Sequence, residues 1–142
     1  MNRKRLITKL RNQHRALGES LLRVIESSKS TDKDRSKQIL LELEKFKEDL
    51  MEHLKLENEI FYPDYKNLKI KAGQDVEEIV EFDIQMKAIG EVVLAFLDKY
   101  NSVNSIELSI GEFRKELQSV TDTLNTRIET EEEGMFDMYL LM

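Results

Sequence analysis

The chain has 142 residues, 40% hydrophobic and 35% charged, with no cysteine and a formal charge of -6. That is enough for one domain, residues 1–142, with a real core, and the lack of cysteine excludes disulfides, thiolate metal sites and cysteine nucleophiles. The acidic balance argues against a nucleic-acid binder despite the basic Asn2-Arg-Lys-Arg5 start, and no run nears the roughly 18 apolar residues of a membrane span, so a soluble, cytoplasmic protein is expected.

One proline and five glycines among helix-period apolar positions predict an all-α protein. A first helix runs from about residue 3 to 27 with an inward stripe of Leu6, Leu10, His14, Leu17, Leu21 and Val24. After the Ser27 to Asp32 loop, Thr31-x-x-Asp34 reads as a capping box opening a second helix that reaches about Phe61 and is stopped by Pro63. Tyr62 to Gln74 has too few periodic apolar positions for an element and is expected to be a loop. A third helix, capped by Asp75, runs to Tyr100 with Ile79, Phe82, Met86, Ile89, Val93, Phe96 and Tyr100 inward. Past an Asn101 to Asn104 loop, Ser109-x-x-Glu112 predicts the start of a fourth helix carrying Phe113, Leu117, Val120, Leu124 and Arg127, which Gly134 ends or loosens. The tail from Met135 to Met142 is too apolar to stay in water, so it folds back on the bundle or meets another chain.

The second helix carries the most telling stretch, H-L-K-L-E-N-E-I-F-Y-P from His53 to Pro63. Residues four apart on a helix share a face, so His53 and Glu57 converge on one point, within an inward stripe of Phe46, Leu50, His53, Glu57 and Ile60. Buried polar groups need partners, which in a bundle are a metal ion or side chains from facing helices. By the plainer reading, His14 and His53 bond each other or backbone carbonyls.

The halves of the chain are related. A shift of 72 residues lays His14 to Leu22 on Met86 to Leu94, matching Ala16 with Ala88, Gly18 with Gly90 and Glu19 with Glu91. A shift of 74 lays His53 to Glu57 on Arg127 to Glu131, and Phe61-Tyr-Pro63 on Met135-Phe-Asp137. Two similar αα-hairpins predict an up-down-up-down four-helix bundle with one shared interior site.

These residues resemble the hemerythrin-like (HHE cation-binding) domains over nearly the whole chain. The resemblance rests on a His in the first helix, His-x-x-x-Glu followed by aromatic-aromatic-Pro in the second, and Glu-Glu followed by Met-Phe in the fourth. It implies a four-helix bundle holding two bridged irons that bind dioxygen, sense oxygen or redox state, or handle iron. By that resemblance His14 and His53 match histidine ligands, Glu57 matches one bridging carboxylate, and Glu131 or Glu132 matches the other.

The chain also departs from the family pattern. Where the family supplies histidines from the third and fourth helices, this chain has Phe82 or Met86 and Arg127. Phe cannot ligate, a thioether suits a hard iron site poorly, and a guanidinium repels a cation. The expectation is therefore a degenerate, partial site for iron or another divalent metal, with Arg127 either turned inward to pair with Glu57, Glu131 or both, or lying with its stem on the core edge and its charge reaching water. A regulatory, signalling or interaction module with a protein partner is expected rather than an oxygen carrier or an enzyme, the alternative being a metal-binding oxygen or redox sensor. Neither nucleic acid nor a membrane is an expected partner.

Overall fold

A computed structural model describes residues 2–30 and 33–142, Lys33 by its backbone alone. Thr31, the first residue of the expected capping box, lies outside the described residues. Seven α-helices and no strands occur among those described. They are α1 (Arg3–Ser28), α2 (Lys33–Leu56), α3 (Tyr62–Lys71), α4 (Glu77–Lys99), α5 (Val103–Leu108), α6 (Ile110–Thr130) and α7 (Phe136–Leu141). One π turn, Glu57–Phe61, joins α2 to α3, and a second, Glu131–Met135, joins α6 to α7, so each pair forms one continuous rod. The four rods touch in a ring: α1 meets α2 and α6, and α4 meets the same two from the other side. None of these helices is long and apolar enough to cross a membrane.

The apolar stripes account for this packing. Leu6, Leu10, Leu17, Leu21 and Val24 of α1 are buried as their spacing requires, and so are Ile79, Phe82, Met86, Val93, Phe96 and Tyr100 along α4, with Ile89 half-buried. One apolar cluster, with Phe46, Phe96 and Phe113, fills the half of the bundle formed by the C-terminal part of α1 and the start of α2. A second, with Leu10, Phe61, Tyr62, Phe82, Phe136 and Tyr139, fills the other half. On α1, His14 falls between Leu10 of the second cluster and Leu17 of the first, so the polar site sits at their junction.

Several local expectations are corrected. Pro63 does not stop the helix; it enters within the first turn of α3, where a missing N–H and a fixed φ cost little. The π turn before it, closed by the Tyr62 N–H on the Glu57 carbonyl, adds one residue and rotates the helix beyond it by about 100°. Ile60, expected to face inward, is therefore 44% exposed, and Phe61 takes the core position at 0%. The expected Tyr62 to Gln74 loop is mostly α3, which buries two tyrosines, Tyr62 and Tyr65, instead of an aliphatic stripe. It ends where Gly73, at φ 71, lets the Gln74 and Gly73 N–H groups reach back to the Lys69 and Ile70 carbonyls.

The Asn101 to Asn104 loop gives way to α5, opened by a reciprocal Ser102–Ser105 capping box, while Ser109 makes no side-chain cap. Asp75 is not the N-cap of α4, which is Val76 without a side-chain cap; it stands one residue earlier, its side chain accepting from the Glu77 N–H at 3.0 Å. Gly134 sits inside the second π turn and the helix runs on. The tail does not fold back; it continues the same rod as α7, with Phe136 and Tyr139 buried and the Tyr139 hydroxyl donating to Asp64 Oδ2 at 2.6 Å.

The repeat is visible in the backbone. The 74-residue shift superposes the two π turns, Glu57–Phe61 on Glu131–Met135, and lays Tyr65 on Tyr139. Those two tyrosines meet edge to face with ring centroids 5.6 Å apart.

Candidate metal centre

Each half of the repeat places a glutamate at the first residue of its π turn, and both point inward with no exposure: Glu57 and Glu131 are each 0% accessible. π turns of this kind are frequent at functional sites because the extra residue re-aims a side chain without ending the helix. α1 contributes His14 and α2 contributes His53, each buried. One ligand atom from each of His14, His53, Glu57 and Glu131 lies within 4.8 Å of all the others, a grouping that could hold a metal ion.

The contacts are close. His53 Nε2 is 2.6 Å from Glu57 Oε1, and His14 Nε2 is 3.1 Å from Glu131 Oε1 and 3.7 Å from Glu57 Oε1. The imidazoles meet edge on with centroids 4.6 Å apart, and the His14 ring stacks on Phe136 at 5.5 Å. Few of these approaches are aligned as hydrogen bonds: both ring nitrogens of His14, both oxygens of Glu57 and Oε1 of Glu131 are buried without a hydrogen-bond partner. Lone pairs crowded together out of water carry a high cost unless protons or a cation lie among them. Two imidazoles and two carboxylates form a mixed nitrogen and oxygen set suited to a divalent transition metal, so the residues fit such an ion.

Surrounding groups orient the donors. Gln13 Oε1 lies 2.7 Å from His53 Nδ1; an amide oxygen only accepts, so Nδ1 carries a proton and Nε2 is the ring nitrogen turned to Glu57. The Tyr62 hydroxyl donates to Glu131 Oε2 at 2.7 Å, leaving Oε1 turned toward His14. Glu132 is not among the four. It is partly exposed at the rim, 3.3 Å from His14 Nδ1, and pairs with Arg11 at 3.4 Å.

Electrostatics in the metal-free protein follow from burial and crowding. Burial alone would lower the His14 pKa, but the close carboxylates of Glu131 and Glu57 outweigh it and raise it to about 9. Burial pushes the Glu131 carboxyl well above the usual carboxylate range, helped by the Glu57 charge. For Glu57 burial pushes the same way, yet the His53 charge and the close approach of both imidazoles win and hold it low. Burial, with the Glu131 charge beside it, drives the Tyr62 phenol strongly upward, so it stays a donor.

The structure thus brings together His14, His53, Glu57 and Glu131 of the sequence-derived set and leaves Glu132 at the edge. The inward pairing of Arg127 is corrected in favour of the core edge: its guanidinium lies 5.1 Å from the centroid of the Phe82 ring, and the close partners of Glu57 and Glu131 are the histidines and Tyr62. The physical reason is that His14 already supplies the positive group the two carboxylates need, while a half-buried guanidinium gains more on an aromatic face near water. Gln13 and Tyr62 are functional neighbours that pattern reading missed. Tyr62 was visible within the aromatic pair before Pro63, whereas Gln13 lies off the apolar stripe and only its place next to His14 hinted at it.

In comparisons with known proteins, the family described as Hemerythrin HHE cation binding domain matches residues 5–139. No curated protein and no solved structure matches the chain.

Proposed function

The chain belongs to the hemerythrin HHE cation-binding family, and from that premise we propose that it is a regulatory or sensory module whose centre takes one divalent ion rather than two, and not an oxygen carrier or an enzyme. The observation that carries this is the donor count: four buried ligand atoms converge within 4.8 Å, while Phe82 and Met86, where the family supplies histidine, are packed in the apolar core. Three of the four donors come from α1, α2 and the first π turn, and the second half gives Glu131 alone. One ion satisfies four such atoms, and a second would find no imidazole.

Within this centre His14 and His53 would hold the ion through Nε2, and Glu57 and Glu131 through one oxygen each. Bound there, a metal such as iron would supply a redox-active, Lewis-acidic centre in a buried site with Phe136 stacked on His14. The chain's own part is to hold a proton on Nδ1 of His53 through Gln13, so that Nε2 is the nitrogen offered to the ion, to hold Glu131 through Tyr62, and to give up the His14 proton as the ion enters. A regulatory role then has a physical basis, because loading changes the charge state of groups that pin α1, α2 and the second π turn together. The outlet for that change would be a protein partner.

Calorimetric titration of chelator-treated protein with ferrous iron or zinc tests the reading. One ion per chain is expected, together with no oxo-bridged diiron absorption after exposure to air. Two irons per chain, or no binding, would refute it. In the same assay Gln13→Leu is expected to weaken binding roughly 10- to 100-fold, because the His53 tautomer is no longer fixed. Unchanged affinity would show that Gln13 does not orient the ligand.

A further inference from the structure

A cavity of about 250 Å³ opens between α3, α4 and the second π turn, and none of the four donor residues lines it. Its inner wall is apolar, formed by Ile79 and Phe82 of α4 with Met135 and Met138, and the Tyr65 ring closes one side. Lys69 stands at the mouth, half-buried, its ammonium 5.6 Å from the centroid of the Tyr65 ring, and among the described residues no carboxylate lies within ion-pair distance of it. The acid on the rim, Glu78, is exposed to water.

We propose that this cavity binds a small organic carboxylate with a ring or short apolar chain, its tail against Phe82, Met135 and Met138 and its head on Lys69. The volume falls below the roughly 300 Å³ at which drug-sized pockets begin, which limits the tail to about one ring. Two methionines give a wall that adapts to such a tail, since an unbranched thioether repacks at little cost. Lys69 supplies the discrimination. Its ammonium is partly withdrawn from water and, among the described residues, has the face of the Tyr65 ring beside it and no carboxylate in ion-pair reach, so an incoming carboxylate gains a charge-assisted hydrogen bond while displacing no described ion pair.

Gly134 provides a clean test. It lines the cavity, and a Cβ built on it meets nothing within 4 Å, so a larger side chain there fills the space without forcing the backbone. With the six methionines labelled at their methyl carbons, titration with benzoate is expected to shift the Met135 and Met138 signals saturably and leave Met51, exposed on α2, unmoved. Gly134→Leu is expected to abolish the shifts with helix content unchanged by circular dichroism. Should that variant fail to fold, Met138→Trp fills the same space from a 49% exposed position, and Met135 remains as reporter. Lys69→Gln is expected to weaken benzoate roughly tenfold and to leave benzyl alcohol, already the weaker of the two in the parent, unaffected. The proposal is overturned if the parent shows no saturable shift, if Met51 moves in parallel, if a folded cavity-filling variant still binds, or if benzyl alcohol binds the parent as tightly as benzoate.

Discussion

Phe61→Ala is expected to cost about 3–5 kcal/mol of stability, and Ile60→Ala less than about 1 kcal/mol. Phe61 is fully buried and packs on Tyr62, Tyr65, Phe136 and Tyr139 with centroids 5.0–5.8 Å away, whereas Ile60 is 44% exposed. An uninterrupted α-helix from His53 would place Ile60 inward and reverse the order. Denaturant unfolding of the two variants therefore reports whether the π turn exists in solution. A larger loss from Ile60→Ala would mean that the helix keeps its register and that Glu57 is not aimed as described.

The metal-free protein is expected to lose stability as pH rises from 6.5 to about 9. His14 binds its proton more tightly folded, at a pKa of about 9, than at its ordinary 6.5. Its contribution is whole below 6.5 and gone above about 9, which at roughly 1.4 kcal/mol per unit is about 3 kcal/mol. Glu131, also raised, pushes in the same direction, since a buried carboxyl must ionise as pH climbs. Glu57, held low, works oppositely, and its contribution fades only in strong acid, below the ordinary carboxylate range. A bound cation takes the place of these protons, so saturating metal should remove the alkaline loss. Melts at pH 6.5 and 9, with chelator and with metal, check this. Equal melting temperatures at both pH values in chelator would contradict the protonated His14.

Most of the framework could be read from the chain alone because it depends on local period. The α1 and α4 stripes needed only a 3.6-residue repeat, and the 74-residue shift already paired Glu57 with Glu131. The features that escaped were set by single backbone events or by contacts distant in sequence. A π turn has no composition signal, so Pro63 looked like a stop and Ile60 like core. α3 escaped because its two buried tyrosines find partners far along the chain, Tyr65 in Tyr139 of α7 and Tyr62 in Phe82 and Glu131, rather than in an apolar stripe of its own. Arg127 was aimed inward by its repeat position, but which cation reaches a carboxylate first is decided in three dimensions, and His14 does.

The one-ion centre is tested most directly by locating metal in crystals of the loaded protein at its absorption edge. A single anomalous peak is expected roughly 2 Å from His14 Nε2, His53 Nε2 and one oxygen each of Glu57 and Glu131. Two peaks roughly 3.5 Å apart, or a peak bound by Glu132 in place of Glu131, would contradict it.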